Sequence, residues 1–178
     1  MFRHFTSASN QMKIQKKKEQ MKVVIEIAER VDRASGRALI VGGFARDEVL
    51  NKLGYDVEPK DLDIEVYGLD FDNLKILLQN LGELNIVGES FQVIKLKGFD
   101  ISIPRRDSKI GRGHKGFAIE GDPTMTIDEA ACRRDFTINA LALDPLTGEI
   151  VDPQGDIENN SHQRAVESFR IGSGGGVR

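Results

Sequence analysis

The chain has 178 residues, 39% of them hydrophobic and 30% charged, with a formal net charge of −3. That length predicts one compact domain with a short appendage, and no apolar run approaches the roughly 18 residues a membrane-spanning helix needs. Cys132 is the only cysteine, which excludes an internal disulfide, and His4, His114 and His162 are too scattered for zinc-ligand spacing. A reducing, cytoplasmic setting is the expectation.

Charge is unevenly spread. Residues 1 to 22 carry Arg3, Lys13, Lys16, Lys17, Lys18 and Lys22 against Glu19 alone, and the remainder is acidic. Residues 1–20 read as a basic, disordered leader; an arm that touches nucleic acid and a targeting peptide are the other readings, although the apolar stretch of a secretory signal is missing. From Met21 onward, Val24, Ile27, Ala28 and Val31 recur at three- and four-residue steps, which predicts an amphipathic helix ending near Gly36. ALIV is a short buried strand that runs into Gly42-Gly43, and FARDEVLNKL has helical spacing with Phe44, Val49, Leu50 and Leu53 on its apolar side.

The next strand is KDLDIEVYG, followed by a helix around FDNLKILLQNLG and two strands, NIVGESFQVIKLKG and FDISIP. DSKIGRGHKGF is basic, glycine-rich and aperiodic, so it reads as a long mobile loop. Thr126 and Glu129 form the S/T-x-x-E capping box of a helix through EAACRRDF. INALALD alternates like a strand, DPLTGE is a turn, and IVDP returns as the partner strand. The closing IGSGGGVR has the composition of a linker. Strands and helices in this order predict a mixed α/β (α+β) fold.

The acidic strand raises the chemical question. Side chains alternate, so Asp61, Asp63 and Glu65 share one face while Leu62, Ile64 and Val66 anchor the other. Crowded carboxylates repel unless a cation intervenes, and a hard divalent ion takes carboxylate, phosphate and water oxygens together. A D-x-D strand therefore suits a metal-nucleotide complex, and an amphipathic strand with a solvated acidic face is the plainer alternative. The neighbourhood favours the first. Gly42-Gly43 stand where a strand turns into a helix, so backbone N–H groups and the positive end of the helix dipole point at one spot suited to phosphate. Arg46, in the first turn, adds a guanidinium fork to the same anion. Cys132 reads as a small buried apolar group on its helix, and His114 as a solvated loop histidine.

Four motifs in order, VGGFARDEVL, KDLDIEV, GRGHKGF and RRDFTINALALDPLTGEIVDP, resemble the catalytic head of class II tRNA nucleotidyltransferases, the CCA-adding enzymes, and of their relatives the bacterial poly(A) polymerases. The resemblance covers roughly residues 36 to 157 and implies the DNA polymerase β-like nucleotidyltransferase fold, a mixed sheet flanked by helices. It implies that Asp61 and Asp63 hold two Mg2+ ions, with Asp100 as the third catalytic carboxylate and Glu65 as the second choice for that role. Gly42, Gly43 and Arg46 would hold the triphosphate, supported by Asp47, and Arg133, Arg134, Asp135 and Asn139 would handle the ribose. Arg105 would reach phosphate or be a surface charge. The loop from Ser108 to Phe117 resembles the segment that helps CCA-adding members change from CTP to ATP.

The implied activity is magnesium-dependent transfer of nucleotides from CTP and ATP to a tRNA or other RNA 3′ end. Polyadenylation is the alternative, and a noncatalytic nucleotide- or RNA-binding fragment the alternative of another class. Residues 21–157 would form the head and residues 158–178 a truncated approach to a helical neck. DPQGDIENNSHQRAVESFR lacks the second glycine of the family's corresponding segment, and the neck's E-D-x-x-R base-reading motif does not follow. A fragment, a shortened gene product or an engineered piece is the expectation.

Overall fold

A computed structural model describes residues 8–52, 54, 57, 62–88, 92–109, 117–134, 140–153 and 155. The first element is a long helix, α1 (Ala8–Arg33). It begins well before Met21 and takes in most of the stretch expected to be a disordered leader. Lys and Gln are good helix formers, and Gln15 bonds Glu19 one turn on at 2.9 Å, so the helix continues after its apolar stripe has ended. Its C-terminus closes as a Schellman motif. The Ser35 N–H donates to the Asp32 carbonyl at 2.8 Å and the Gly36 N–H to the Val31 carbonyl at 2.9 Å. Ser35 takes the left-handed position, with φ of 63°. Gly36 is required for a different reason: a Cβ there would lie 2.9 Å from Leu69 Cγ, the Tyr67 carbonyl and Val31 Cγ1.

The chain then alternates short strands with helices: β1 (Arg37–Val41), α2 (Gly43–Lys52), β2 (Asp63–Tyr67) and α3 (Phe71–Leu78), which continues as a 3-10 turn through Gln79–Leu81. Asp70 caps α3 by accepting from the Asn73 N–H at 2.8 Å. β3 (Asn85–Val87), β4 (Val93–Leu96) and β5 (Phe99–Ser102) follow, so the segment expected to be one strand is split in two. β6 (Arg105–Lys109) and β7 (Phe117–Gly121) form a separate antiparallel ribbon. Part of the expected loop is thus strand; residues 110–116, with His114, lie outside the described residues. α4 (Ile127–Ala131), β8 (Ala142–Leu143) and β9 (Ile150–Val151) complete the order. No helix among the described residues is long and apolar enough to cross a membrane.

Among the described residues, seven strands form one mixed sheet in the order β3-β4-β5-β2-β1-β8-β9, with β2 and β5 parallel and the other neighbours antiparallel. Alternation gives the sheet two unlike faces. Ala38, Ile40, Ile64, Val66, Ile94, Leu96 and Ile101 pack with Val24, Ile27, Ala28 and Val31 of α1 and Leu74 and Leu78 of α3. Each of these valine, leucine and isoleucine side chains contributes about 1.5–3 kcal/mol when fully buried. On the other face, Leu39, Val41 and Tyr67, with Ala142 of β8, are covered by Met125 and Ala130, while Asp63 at the start of β2 is exposed and Asp100 of β5 is only partly buried. The D-P-L-T-G-E turn ties β8–β9 back to β1: buried Asp144 accepts from Arg37 Nε at 3.1 Å and from the Leu146 N–H at 3.0 Å.

Candidate active site

The partly uncovered face carries the acidic row. Val41, Asp63, Asp100 and Lys95 are neighbours across β1, β2, β5 and β4, because Asp63 pairs with Val41 on one side and Asp100 on the other, and Lys95 pairs with Asp100. Neighbouring strands lie about 5 Å apart, so the Asp63 and Asp100 side chains leave the sheet side by side. Lys95 Nζ reaches both oxygens of Asp100, at 2.7 and 2.8 Å. This lysine escapes a motif search, yet the alternation of Ile94, Lys95 and Leu96 and the tight turn at Lys97-Gly98 are visible signals. Both turn residues have positive φ, 51° and 86°, as a two-residue hairpin requires.

Beside the row, β1 ends in the glycine turn. Gly42 has φ of +70°, and a Cβ built on it would lie 3.8 Å from Asp63 Oδ2, so the turn backbone runs close past the carboxylate. α2 starts at the next residue, where its first N–H groups lack helical partners and carry partial positive charge. Arg46 lies in that first turn. Its Nε and Nη2 approach Oδ1 of buried Asp47 at 2.8 and 2.7 Å, which fixes the guanidinium next to the turn.

The next row inward has a different character. Glu65 accepts from Arg134 Nη2 at 3.0 Å and from the Tyr67 hydroxyl at 2.5 Å, and its side chain is only 14% exposed. Burial first, and then the charge of Glu65, raise the Tyr67 hydroxyl well above the ordinary tyrosine range, so Tyr67 remains a donor. Glu65 thus joins the sheet to the segment after α4, and brings Arg134 to within one row of Asp63 and Asp100.

α4 is held by the expected capping box: Thr126 accepts from the Glu129 N–H at 3.2 Å, and Glu129 accepts from the Thr126 N–H at 2.9 Å. The helix ends at Ala131, earlier than its sequence suggests. Cys132 is therefore at the C-cap and exposed, not buried, because Ala130 and Ala131 take the inward positions. Arg106 of β6 bonds Asp122 and, at 3.2 Å, Glu129, clamping the ribbon to α4. The hydrogen bond from Arg106 foremost lowers the Asp122 carboxyl to about 2. Arg105 opens β6 opposite Gly121.

Of the expected site residues, Gly42, Gly43, Arg46, Asp47, Asp63, Asp100 and Arg134 gather around one end and one face of the sheet. Arg133 precedes Arg134 in the same turn. Asp61, Asp135 and Asn139 lie outside the described residues. Among the described residues no cluster of three His, Cys, Asp or Glu side chains suited to a metal forms. Asp63 nevertheless suits magnesium, which is commonly held through one or two carboxylates together with substrate phosphates and water, while Lys95 holds both oxygens of Asp100.

The family model described as the poly A polymerase head domain matches residues 38–164. A multifunctional CCA protein from Xanthomonas campestris pv. campestris (strain B100) is 37% identical over 122 residues, covering 67% of this chain and 27% of the relative. One from Xylella fastidiosa (strain M23) is 35% identical over 132 residues, 73% of this chain and 29% of the relative. The chain therefore spans less than a third of the length of these curated relatives. Among solved structures, the Bacillus stearothermophilus CCA-adding enzyme in complex with CTP superposes with a TM-score of 0.56 at 23% identity, over 76% of this chain and 30% of that one. The shared fold is the DNA polymerase β-like nucleotidyltransferase fold. With the family model spanning most of the chain, the chain belongs to the poly(A) polymerase head-domain family, the head type of class II CCA-adding enzymes and bacterial poly(A) polymerases.

Proposed function

We propose that this head transfers nucleotides from CTP and ATP to an RNA 3′ end, as the catalytic part of an enzyme that adds CCA to tRNA in the cytoplasm. One observation carries the reading: Asp63 and Asp100 stand in register on adjacent strands, directly beside the Gly42 turn and the start of α2. Acidic groups for a cation and N–H groups for phosphate are then in one place, as a metal-bound triphosphate needs. The names of the relatives support the tRNA substrate.

In this reading Asp61 and Asp63 hold Mg2+, with two ions expected, and Asp100 is the third carboxylate. Bound there, magnesium would lower the pKa of the primer 3′-hydroxyl and steady the pyrophosphate leaving group. The Gly42 and Gly43 backbone and Arg46 orient the triphosphate for in-line attack, and Asp47 keeps Arg46 aimed. Arg133, Arg134, Asp135 and Asn139 handle the ribose, where polar partners for a hydroxyl discriminate strongly against its absence. Glu65 serves this group by holding Arg134, so Asp100 is preferred to Glu65 as the third carboxylate. Residues 21–157 are the head, and residues 158–178 lead toward a neck.

The test is titration of ATP and CTP with and without magnesium, followed by extension of a tRNA that ends before its CCA, for the native chain and Asp63→Asn. Asp63 is exposed, so the variant should keep its thermal stability and lose magnesium-dependent binding. Binding that is indifferent both to magnesium and to Asp63→Asn would refute the reading. Polyadenylation is not favoured, since the similar curated relatives are named as CCA proteins. Incorporation of ATP alone, in runs, would select it over CCA addition.

A further inference from the structure

We propose that the lysine-rich N-terminal half of α1 is an RNA-docking arm, which grips the phosphate backbone of the molecule whose 3′ end lies at the Asp63–Asp100 row. The proposal rests on the RNA 3′-end reading above and adds a surface to it. α1 turns back sharply into β1, so the two run antiparallel against each other. From Val31 back to Lys17 the helix rises about 21 Å, slightly more than the roughly 17 Å length of a five-residue strand such as β1. Lys17 therefore stands at the end of the sheet where β1 meets Gly42. Its contacts agree: Lys17 Nζ is 2.5 Å from Glu48 Oε1 and 5.6 Å from the centre of the Phe44 ring, both on α2. Asp63, the first residue of β2, and Asp100, the second of β5, lie at that same end, on the face opposite the one α1 covers. The nine residues Ala8 to Lys16 carry the helix about 14 Å further.

The chemistry of the helix changes where it leaves the core. The stripe of Val31, Ala28, Ile27 and Val24 continues at three- and four-residue steps into Gln20, Lys17 and Lys16, so an apolar seam becomes a cationic one. Lys18 and Lys22 project from the outer side, and Lys16, Lys18 and Lys22 are all exposed. The local acids are Glu19, bonded by Gln15, and Glu48, bonded by Lys17, which leaves a cationic surplus. A polyanion complements this surface, and RNA is the polyanion that the adjacent site would receive. A bilayer is a poorer match. Met12 and Ile14, 74% and 54% exposed, are two residues apart and so about 200° apart around the helix, forming no apolar face to enter lipid.

The experiment compares the full chain with the triple variant Lys16→Gln, Lys18→Gln, Lys22→Gln. The probe is a tRNA ending before its CCA, with affinity measured against salt concentration and no nucleotide present. Three lost phosphate contacts should lower the log–log salt slope by about 2 and weaken binding about tenfold or more at low salt. The corresponding triple Lys→Arg variant should keep both, and Mg-ATP affinity should be the same in all three proteins. An unchanged slope and affinity in the glutamine variant would overturn the arm, as would lysine-dependent capture of phosphatidylserine vesicles without capture of tRNA. The two readings separate cleanly. Lysine-dependent tRNA binding by a chain whose nucleotide binding is indifferent to magnesium and to Asp63→Asn sinks the transfer reading and supports the arm; magnesium- and Asp63-dependent nucleotide binding with unaltered tRNA affinity in the glutamine variant does the reverse.

Discussion

Replacing Glu65 by alanine should loosen the join between the sheet and the segment carrying Arg134. Two hydrogen bonds disappear, one from Arg134 at 3.0 Å and one from the Tyr67 hydroxyl at 2.5 Å. A hydrogen bond to a charged group contributes about 1.5–3 kcal/mol, and the Tyr67 hydroxyl, on a residue only 8% exposed, would lose its Glu65 acceptor at about 1–3 kcal/mol. The Arg134 side chain is 22% exposed and recovers some water, which brings the expected cost to about 3 kcal/mol. For a chain of this size that is a fall of about 6–12 °C in Tm. Glu65→Gln keeps an acceptor for both donors and should lose roughly half as much. Scanning calorimetry of the three proteins, paired with Mg-ATP titration, checks the reasoning. A Tm within a degree or two of the parent for Glu65→Ala would refute it, and so would equal losses in the two variants.

Gly42→Ala places a side chain in the left-handed region at φ +70°, costing about 1–2 kcal/mol, while its methyl meets Asp63 Oδ2 at an ordinary 3.8 Å. A Tm drop of a few degrees with weakened triphosphate binding is expected, and full stability in a melting experiment would contradict the turn geometry. Because the folded protein holds the Tyr67 proton more tightly than the unfolded chain, its contribution is complete below about pH 10, the ordinary tyrosine value, and declines as pH rises above it. Tyr67→Phe should flatten that alkaline decline in Tm; parallel curves for the two proteins would count against it. Asp122 has the opposite sign: its lowered carboxyl stabilises above about pH 4, and the contribution is lost as pH falls toward about 2. Asp122→Asn should unfold less steeply across that acid window, and an unchanged acid limb would show that the Arg106 clamp contributes nothing there.

How much of this was legible in advance differs between elements. The strand-glycine-helix unit, the acidic alternation, the Asp144 turn and the Thr126–Glu129 capping box are local patterns, and each was readable. The β6–β7 ribbon was not, because β6 is wholly polar, Arg105 to Lys109, and so lacks the apolar alternation that announces a strand. The early start of α1 was missed for a similar reason: helix propensity carries it where hydrophobic periodicity has ended. The exposure of Cys132 depended on where α4 stops, which neighbouring alanines decide by taking the buried positions.

What the sequence determined by itself is therefore the set of chemical parts: carboxylates on one face of a strand, glycines at its neighbour's end, arginines after a capped helix. These follow from periods of two and 3.6 residues, which any stretch of chain expresses alone. Only the tertiary structure decided which parts meet. The parallel register of β2 and β5 sets Asp100 beside Asp63, and the turn after α1 sends a lysine helix to the same end of the sheet. Glu65 shares the face of Asp63 but stands one row further in, where Arg134 engages it instead of a ligand at the sheet end. Register is a contact between distant segments, chosen by the burial of a whole apolar face, and no local spacing encodes it.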